Sequence, residues 1–150
     1  MSDPHHLQRF VDAQAGVYAN VVKELAAGRK RNHWMWFIFP QVAGLGSSAM
    51  AQRYAIGSRD EAQAYLAHDL LGPRLLECTG LVIKVADKTI HDILGSPDDL
   101  KFCSSMTLFG AVSGKPLFAE AIAKYFAGAK DQATLAILSQ SDRAGGPQDS

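Results

Sequence analysis

Apolar residues at Leu7, Phe10, Ala13, Val17, Val21 and Leu25 recur every three or four positions, and Val11, Tyr18 and Val22 widen the same stripe. That spacing keeps one face of a helix apolar. Asp3 and Pro4 supply an N-cap and a first-turn proline, and Gly28 supplies a stop, so the pattern predicts one long first helix. Similar punctuation marks the elements that follow. Ser48 caps a short helix through Tyr54. Ser58 and Glu61 form a capping box ahead of Ala62, Tyr65 and Leu66. Gly72-Pro73 opens a helix with Leu75, Leu76, Thr79, Val82 and Ile83 on one face, and Thr89 caps a short turn closed by Gly95. Lys115-Pro116 opens a helix carrying Phe118, Ile122, Tyr125 and Phe126, stopped by Gly128, and Asp131 caps a last one through Leu138.

Two stretches break this regular pattern. Residues 29–41, RKRNHWMWFIFPQ, place three cations before seven consecutive large side chains and hold both tryptophans. Seven large side chains in a row cannot all face one way. They are either covered on several sides or left as an aromatic wall for a ligand. Residues 34–39 are the one place where a strand is arguable, and Pro40 ends either element. The cations Arg29 and Arg31 also read as C-terminal capping charges for the first helix.

The second stretch, residues 96–112, begins with Ser96 as N-cap, Pro97 at the first helical position and two aspartates in the first turn. From residue 100 onward apolar residues lie all round the helix, the mark of a segment surrounded by others. Lys101, Ser104 and Ser105 lie three and four apart and share a face, so they can converge on one anionic or hydroxylated group. Equally, the serines can bond back to the preceding turn while the lysine pairs with an aspartate.

No internal repeat, alternating run or hairpin dipeptide interrupts the helical pattern. The expected fold is therefore all-α, a compact multihelical single domain of about seven or eight helices over residues 1–138, with a buried central helix at about 97–112. Residues 139–150 carry no apolar anchor and are expected to form a disordered tail. The chain has 150 residues, of which 47% are hydrophobic, enough for one sizeable core. Fifteen cations balance fifteen acids, so no global field draws it to nucleic acid or an anionic membrane, and any anion site must be local. Cys78 and Cys103 are too few for a disulfide scaffold and suit free thiols in a reducing cytoplasm. Neither a secretory leader pattern nor a run of about 18 apolar residues is present. A cytoplasmic location is the expectation.

The strings at 29–41, 44–48 (GLGSS), 50–56 (MAQRYAI) and 97–109 (PDDLKFCSSMTLF) together resemble the domain-of-unknown-function family numbered 1810, over nearly the whole chain, 7–138. The resemblance implies a compact, mostly helical domain with a buried central helix, and no activity. Members often carry the label calpastatin, the name of a disordered, repeat-built calpain inhibitor. This chain's apolar content and lack of repeats argue against that function. The family pattern has Leu and a polar or basic residue where this chain has Phe102 and Cys103, so a cation beside Lys101 is missing.

The function expected from these features is binding of a small, planar, anionic, nucleotide-like ligand where the aromatic stretch meets the face of Lys101, Ser104 and Ser105. Trp34 or Trp36 would stack on it. Lys30, Arg53 and Lys101 would neutralise it, and His33, Gln41, Ser104, Ser105 and Thr107 would orient it. If chemistry follows, His33 is the proton-transfer candidate, and Asp98 or Asp99 supplies a carboxylate for hydrolysing a nucleotide-type glycosidic bond. A protein-interaction module with exposed aromatics as the hot spot is the alternative from another class. No cofactor is expected. The histidines are too widely spaced for a structural metal, and phosphate loops, dinucleotide fingerprints and nucleophile elbows are absent.

Overall fold

A computed structural model describes the backbone of residues 3–144 and the side chains through residue 140. Its ten helices, α1 (Gln8–Gln14), α2 (Tyr18–Ala26), α3 (Met35–Ile38), α4 (Ala49–Arg53), α5 (Arg59–Ala67), α6 (Leu71–Lys84), α7 (Ile90–Leu94), α8 (Asp98–Ser113), α9 (Pro116–Phe126) and α10 (Gln132–Ala144), form an all-α domain.

The first apolar stripe belongs to two helices and not to one. Gly16 adopts a φ of +81°, a left-handed conformation that ends α1 before α2 begins. Asp3 does cap, but later than expected: its two carboxylate oxygens accept from the N–H groups of Leu7 and Gln8, and α1 starts at Gln8. The caps at Ser48, Ser58 and Thr89 bond as expected, to the N–H groups of Ala51, Glu61 and Asp92. Glu61 closes its side of the box on Gly57 N–H instead of Ser58, and its other oxygen pairs with Arg9 at 2.8 Å. Pro97, not Ser96, occupies the N-cap position of α8. The stretch at 34–39 is one turn of helix, α3, rather than a strand. The extended backbone sits just beyond it, where Val42 forms an isolated parallel bridge with Ile56.

The middle helix is the axis of the molecule. Residues 102 to 109 of α8 are all buried, with α5, α7, α9 and α10 packed around them. Phe102 meets Phe39 edge-on at 4.9 Å between centroids, and Phe109 lies 5.3 Å from Tyr65 and 6.1 Å from Phe118. A helix enclosed this way needs no apolar stripe, since every direction is inward. Its first turn is the exception, where Leu100 is 65% exposed. Close packing elsewhere depends on Gly72, whose added Cβ would lie 2.1 Å from the carbonyl oxygen of Leu66. Helix α10 continues six residues past Leu138, into the segment expected to be a tail, and residues 145–150 lie outside the described residues.

Candidate functional site

The backbone N–H of Lys30 donates to the carbonyl of Ile93 at 2.7 Å, which fastens the basic loop to the end of α7. One turn further, past Gly95 and the Ser96-Pro97 turn, α8 begins with Asp98. Lys30 and Asp98, 68 positions apart in sequence, thus come within ion-pair distance: Lys30 Nζ lies 2.9 Å from Asp98 Oδ2. Lys101, three residues along α8, reaches the other oxygen at 3.8 Å. The two ammonium groups also sit over indoles, Lys30 at 5.2 Å from the Trp34 ring and Lys101 at 5.5 Å from the Trp36 ring.

A cleft of about 310 Å³ opens here, bounded by Lys30, His33, Met35 and Trp36 on one side and by Ser96, Pro97, Asp98 and Lys101 on the other. Lys30 is nearly covered, whereas Lys101 is about a quarter exposed and holds Asp98 at the longer distance. Two lysines against one aspartate leave the cleft with net positive charge. A half-buried indole face and an adjacent imidazole complete a surface suited to a flat anion.

Beside the cleft, a second carboxylate holds the loop in shape. Glu24 accepts from Arg31 N–H at 2.7 Å, Asn32 N–H at 3.1 Å, Asn32 Nδ2 at 2.6 Å and Trp34 Nε1 at 2.9 Å. Burial alone would push this carboxyl up, but the donors outweigh it and hold the pKa below its ordinary value of 4.5. Glu24 is buried although glutamate ordinarily faces solvent, and the sequence did carry a signal for it: it falls three residues after Val21, on the apolar stripe of α2.

Four of the residues expected to bind the ligand, Lys30, His33, Trp36 and Lys101, share the cleft. The others sit elsewhere. Trp34 is buried at 2% exposure with its N–H held by Glu24. Gln41 is half-buried, its carbonyl accepting from Ile56 N–H at 2.9 Å. Arg53 is exposed, with its guanidinium over the Tyr54 ring at 5.5 Å. Ser104 donates back to Leu100 O and toward Asp131, each at 3.2 Å, and Thr107 Oγ1 accepts from Asp131 N–H at 2.9 Å, so both secure α10 to α8. Ser105 is fully buried, and its hydroxyl has no partner among the described residues. Asp99 faces His91 at 3.4 Å, which leaves Asp98 as the carboxylate of the cleft. Met35, Ser96 and Pro97 are not among the residues expected to bind; the sequence marks Ser96 and Pro97 only as the start of a helix.

Neither cysteine is built to react. Cys78 and Cys103 are free and buried; burial pushes the Cys78 thiol up to about 12, and burial followed by the nearby Asp131 raises Cys103. Among the described residues no group of three or more His, Cys, Asp or Glu side chains could hold a metal ion, and no helix is long and apolar enough to cross a membrane.

An all-α domain with a small cationic, aromatic-walled cleft is the class of protein this geometry defines. The family model described as a protein of unknown function, DUF1810, matches residues 4–138, and the chain belongs to that family. Its fold is similar to the crystal structure of the conserved hypothetical protein Rv1873 from Mycobacterium tuberculosis, with 60% sequence identity and a TM-score of 0.90 over 91% of this chain and 99% of that one. No curated protein matches the sequence.

Proposed function

We propose that the cleft between the aromatic loop and the start of α8 binds a small, planar, anionic ligand of nucleotide type. The observation that carries this reading is the meeting of Lys30, Lys101 and Trp36 around one carboxylate in an open cleft. Lys101 is the group to engage an incoming anion, because its ion pair is the longer and more exposed of the two and costs little to exchange. Trp36 offers its face, and His33 a hydrogen bond. The cover over the rest of the aromatic stretch weighs against a flat interaction surface: Trp34, Phe37 and Phe39 are buried, and Leu100 is the exposed large apolar residue among those described.

A second reading, hydrolysis of a nucleotide-type glycosidic bond, draws support from His33 and Asp98 sharing the cleft, with His33 moving a proton and Asp98 supplying the carboxylate. A cytoplasmic setting goes with both readings, since two free buried thiols suit a reducing compartment.

A thermal-shift screen of nucleotides and sugar phosphates tests the binding reading. A ligand at about a hundred times its dissociation constant adds about 2.7 kcal/mol, or roughly 5–10 °C for a domain of this size. Lys101→Met is expected to remove the shift. A flat response to every anion overturns the proposal, and release of free base on incubation would establish the hydrolytic reading.

A further inference from the structure

His33 borders two clefts, not one. A second hollow of about 270 Å³ is bounded by Val17, Asn20, Asn32, His33, Trp34 and Phe37, and shares His33 with the first. The two differ in chemistry. The first has two ammonium groups, a carboxylate and an indole; the second has an apolar floor and two carboxamides and no ionisable side chain apart from the shared histidine. Their sizes matter as well. Each alone stands at or below the lower end of the roughly 300–1,000 Å³ that small-molecule sites occupy, whereas the pair falls well inside it.

The carboxamides are prepared for recognition to different degrees. Asn32 is fixed, its Nδ2 held by Glu24 at 2.6 Å, which leaves Oδ1 without a partner among the described residues. Asn20, exposed in the first turn of α2, has both its donor and its acceptor uncommitted among those residues. A carboxamide matches a ring edge that carries a donor and an acceptor side by side, as the edges of nucleobases do. Glu24 holds the backbone N–H groups of Arg31 and Asn32, the Asn32 carboxamide and the Trp34 indole, so the residues on both sides of His33 are fixed to one carboxylate.

We infer that the two clefts are halves of one site, the lysine side taking the phosphate of a nucleoside monophosphate and the Asn20/Asn32 side taking its base, with the sugar crossing His33. This inference rests on the binding reading above and assigns the base to residues that reading does not use.

Calorimetric titration of the whole chain with inorganic phosphate and with AMP, GMP, CMP and UMP tests it. At least one nucleotide is expected to bind ten times or more tighter than inorganic phosphate. Asn20→Leu, an exposed substitution that leaves the core untouched, is expected to weaken that nucleotide roughly tenfold, the loss of about one hydrogen bond, and to leave inorganic phosphate unchanged. Lys101→Met is expected to weaken both together. If phosphate binds but all four nucleotides fall within threefold of it, or if Asn20→Leu has the same effect on phosphate as on the nucleotide, the two-part site is overturned while the anion cleft stands. If neither phosphate nor any nucleotide binds, the anion cleft itself falls.

Discussion

Glu24 and Asp98 stand on either side of the same aromatic loop and use their charge in opposite ways. Glu24 is buried and accepts four hydrogen bonds from three residues of one short loop, Arg31, Asn32 and Trp34. Asp98 is partly open and, among the described residues, pairs with two lysines, one at 2.9 Å and one at 3.8 Å. A carboxylate surrounded by fixed backbone and indole donors has nothing left to exchange, and it holds a shape. One surrounded by flexible ammonium groups at the edge of a cleft can trade partners with a ligand. The tryptophans divide in the same way: Trp34 gives its N–H to Glu24 and is buried, and Trp36 is half-buried under Lys101 at the edge of the cationic cleft.

The largest expected effect is the one that separates the two indoles. Trp34→Ala removes a buried ring and one of the four donors of Glu24, and roughly 3–5 kcal/mol of stability is expected to go with it. Trp36→Ala, taken from a half-buried position, is expected to cost no more than about 2 kcal/mol while abolishing the ligand-induced thermal shift. Urea unfolding of the two variants makes the measurement. Equal losses would mean that both rings are core, and the contrast between the two sides of the loop would be gone.

Next comes the pair of carboxylates. Glu24→Ala leaves Trp34 Nε1 buried without an acceptor and is expected to cost about 2–4 kcal/mol, roughly two charge-assisted hydrogen bonds once the loop N–H groups turn to water. Asp98→Ala is expected to cost about 1 kcal/mol or less, the range of a partly exposed ion pair. An Asp98 variant that unfolds as readily as the Glu24 variant would make both clusters structural.

The acid side of the stability curve sharpens the same contrast. Glu24 has a folded-state pKa below its ordinary 4.5, so between the two values the unfolded chain binds more protons. Its contribution is therefore complete above the ordinary value and is lost as pH falls through the folded one. Asp3 and Asp92 are also lowered, both by backbone hydrogen bonds first, so the wild-type curve alone mixes three groups. Subtracting the melting curve of Glu24→Gln across acid pH isolates one of them. The difference between wild type and Glu24→Gln is expected to shrink below about pH 4.5. A difference independent of pH would show that the glutamate works by shape and not by charge.

What the chain reveals of all this depends on how local the cause is. Caps at Ser48, Ser58 and Thr89 are legible because a side chain bonds to an N–H three residues on. The buried helix α8 is legible because apolar residues surround it. The break in the first helix was not, since apolar periodicity runs straight through Gly16 and only its positive φ decides the matter. In the site, cation and ring could be placed together from sequence because each stretch was conspicuous alone. Which polar groups face the opening is set by pairings such as Lys30 N–H to Ile93 O, between residues 63 positions apart, and no local pattern encodes those.

The smallest effect concerns two neighbours on α8 that share a face in sequence and part ways in space. Ser104 has two acceptors, Leu100 O and the Asp131 carboxylate, and Ser104→Ala is expected to cost about 1 kcal/mol. Ser105 has none among the described residues, and a buried hydroxyl without a partner is a standing penalty that alanine removes at little loss of volume. Ser105→Ala is therefore expected to be neutral or to stabilise by up to about 1 kcal/mol, and to leave the ligand-induced shift intact because residue 105 does not border the cleft. If the variant instead melts lower and loses the shift, the hydroxyl has a partner that arrives only with the ligand. The boundary between the sealed and the open side of the loop would then run deeper into α8 than Lys101.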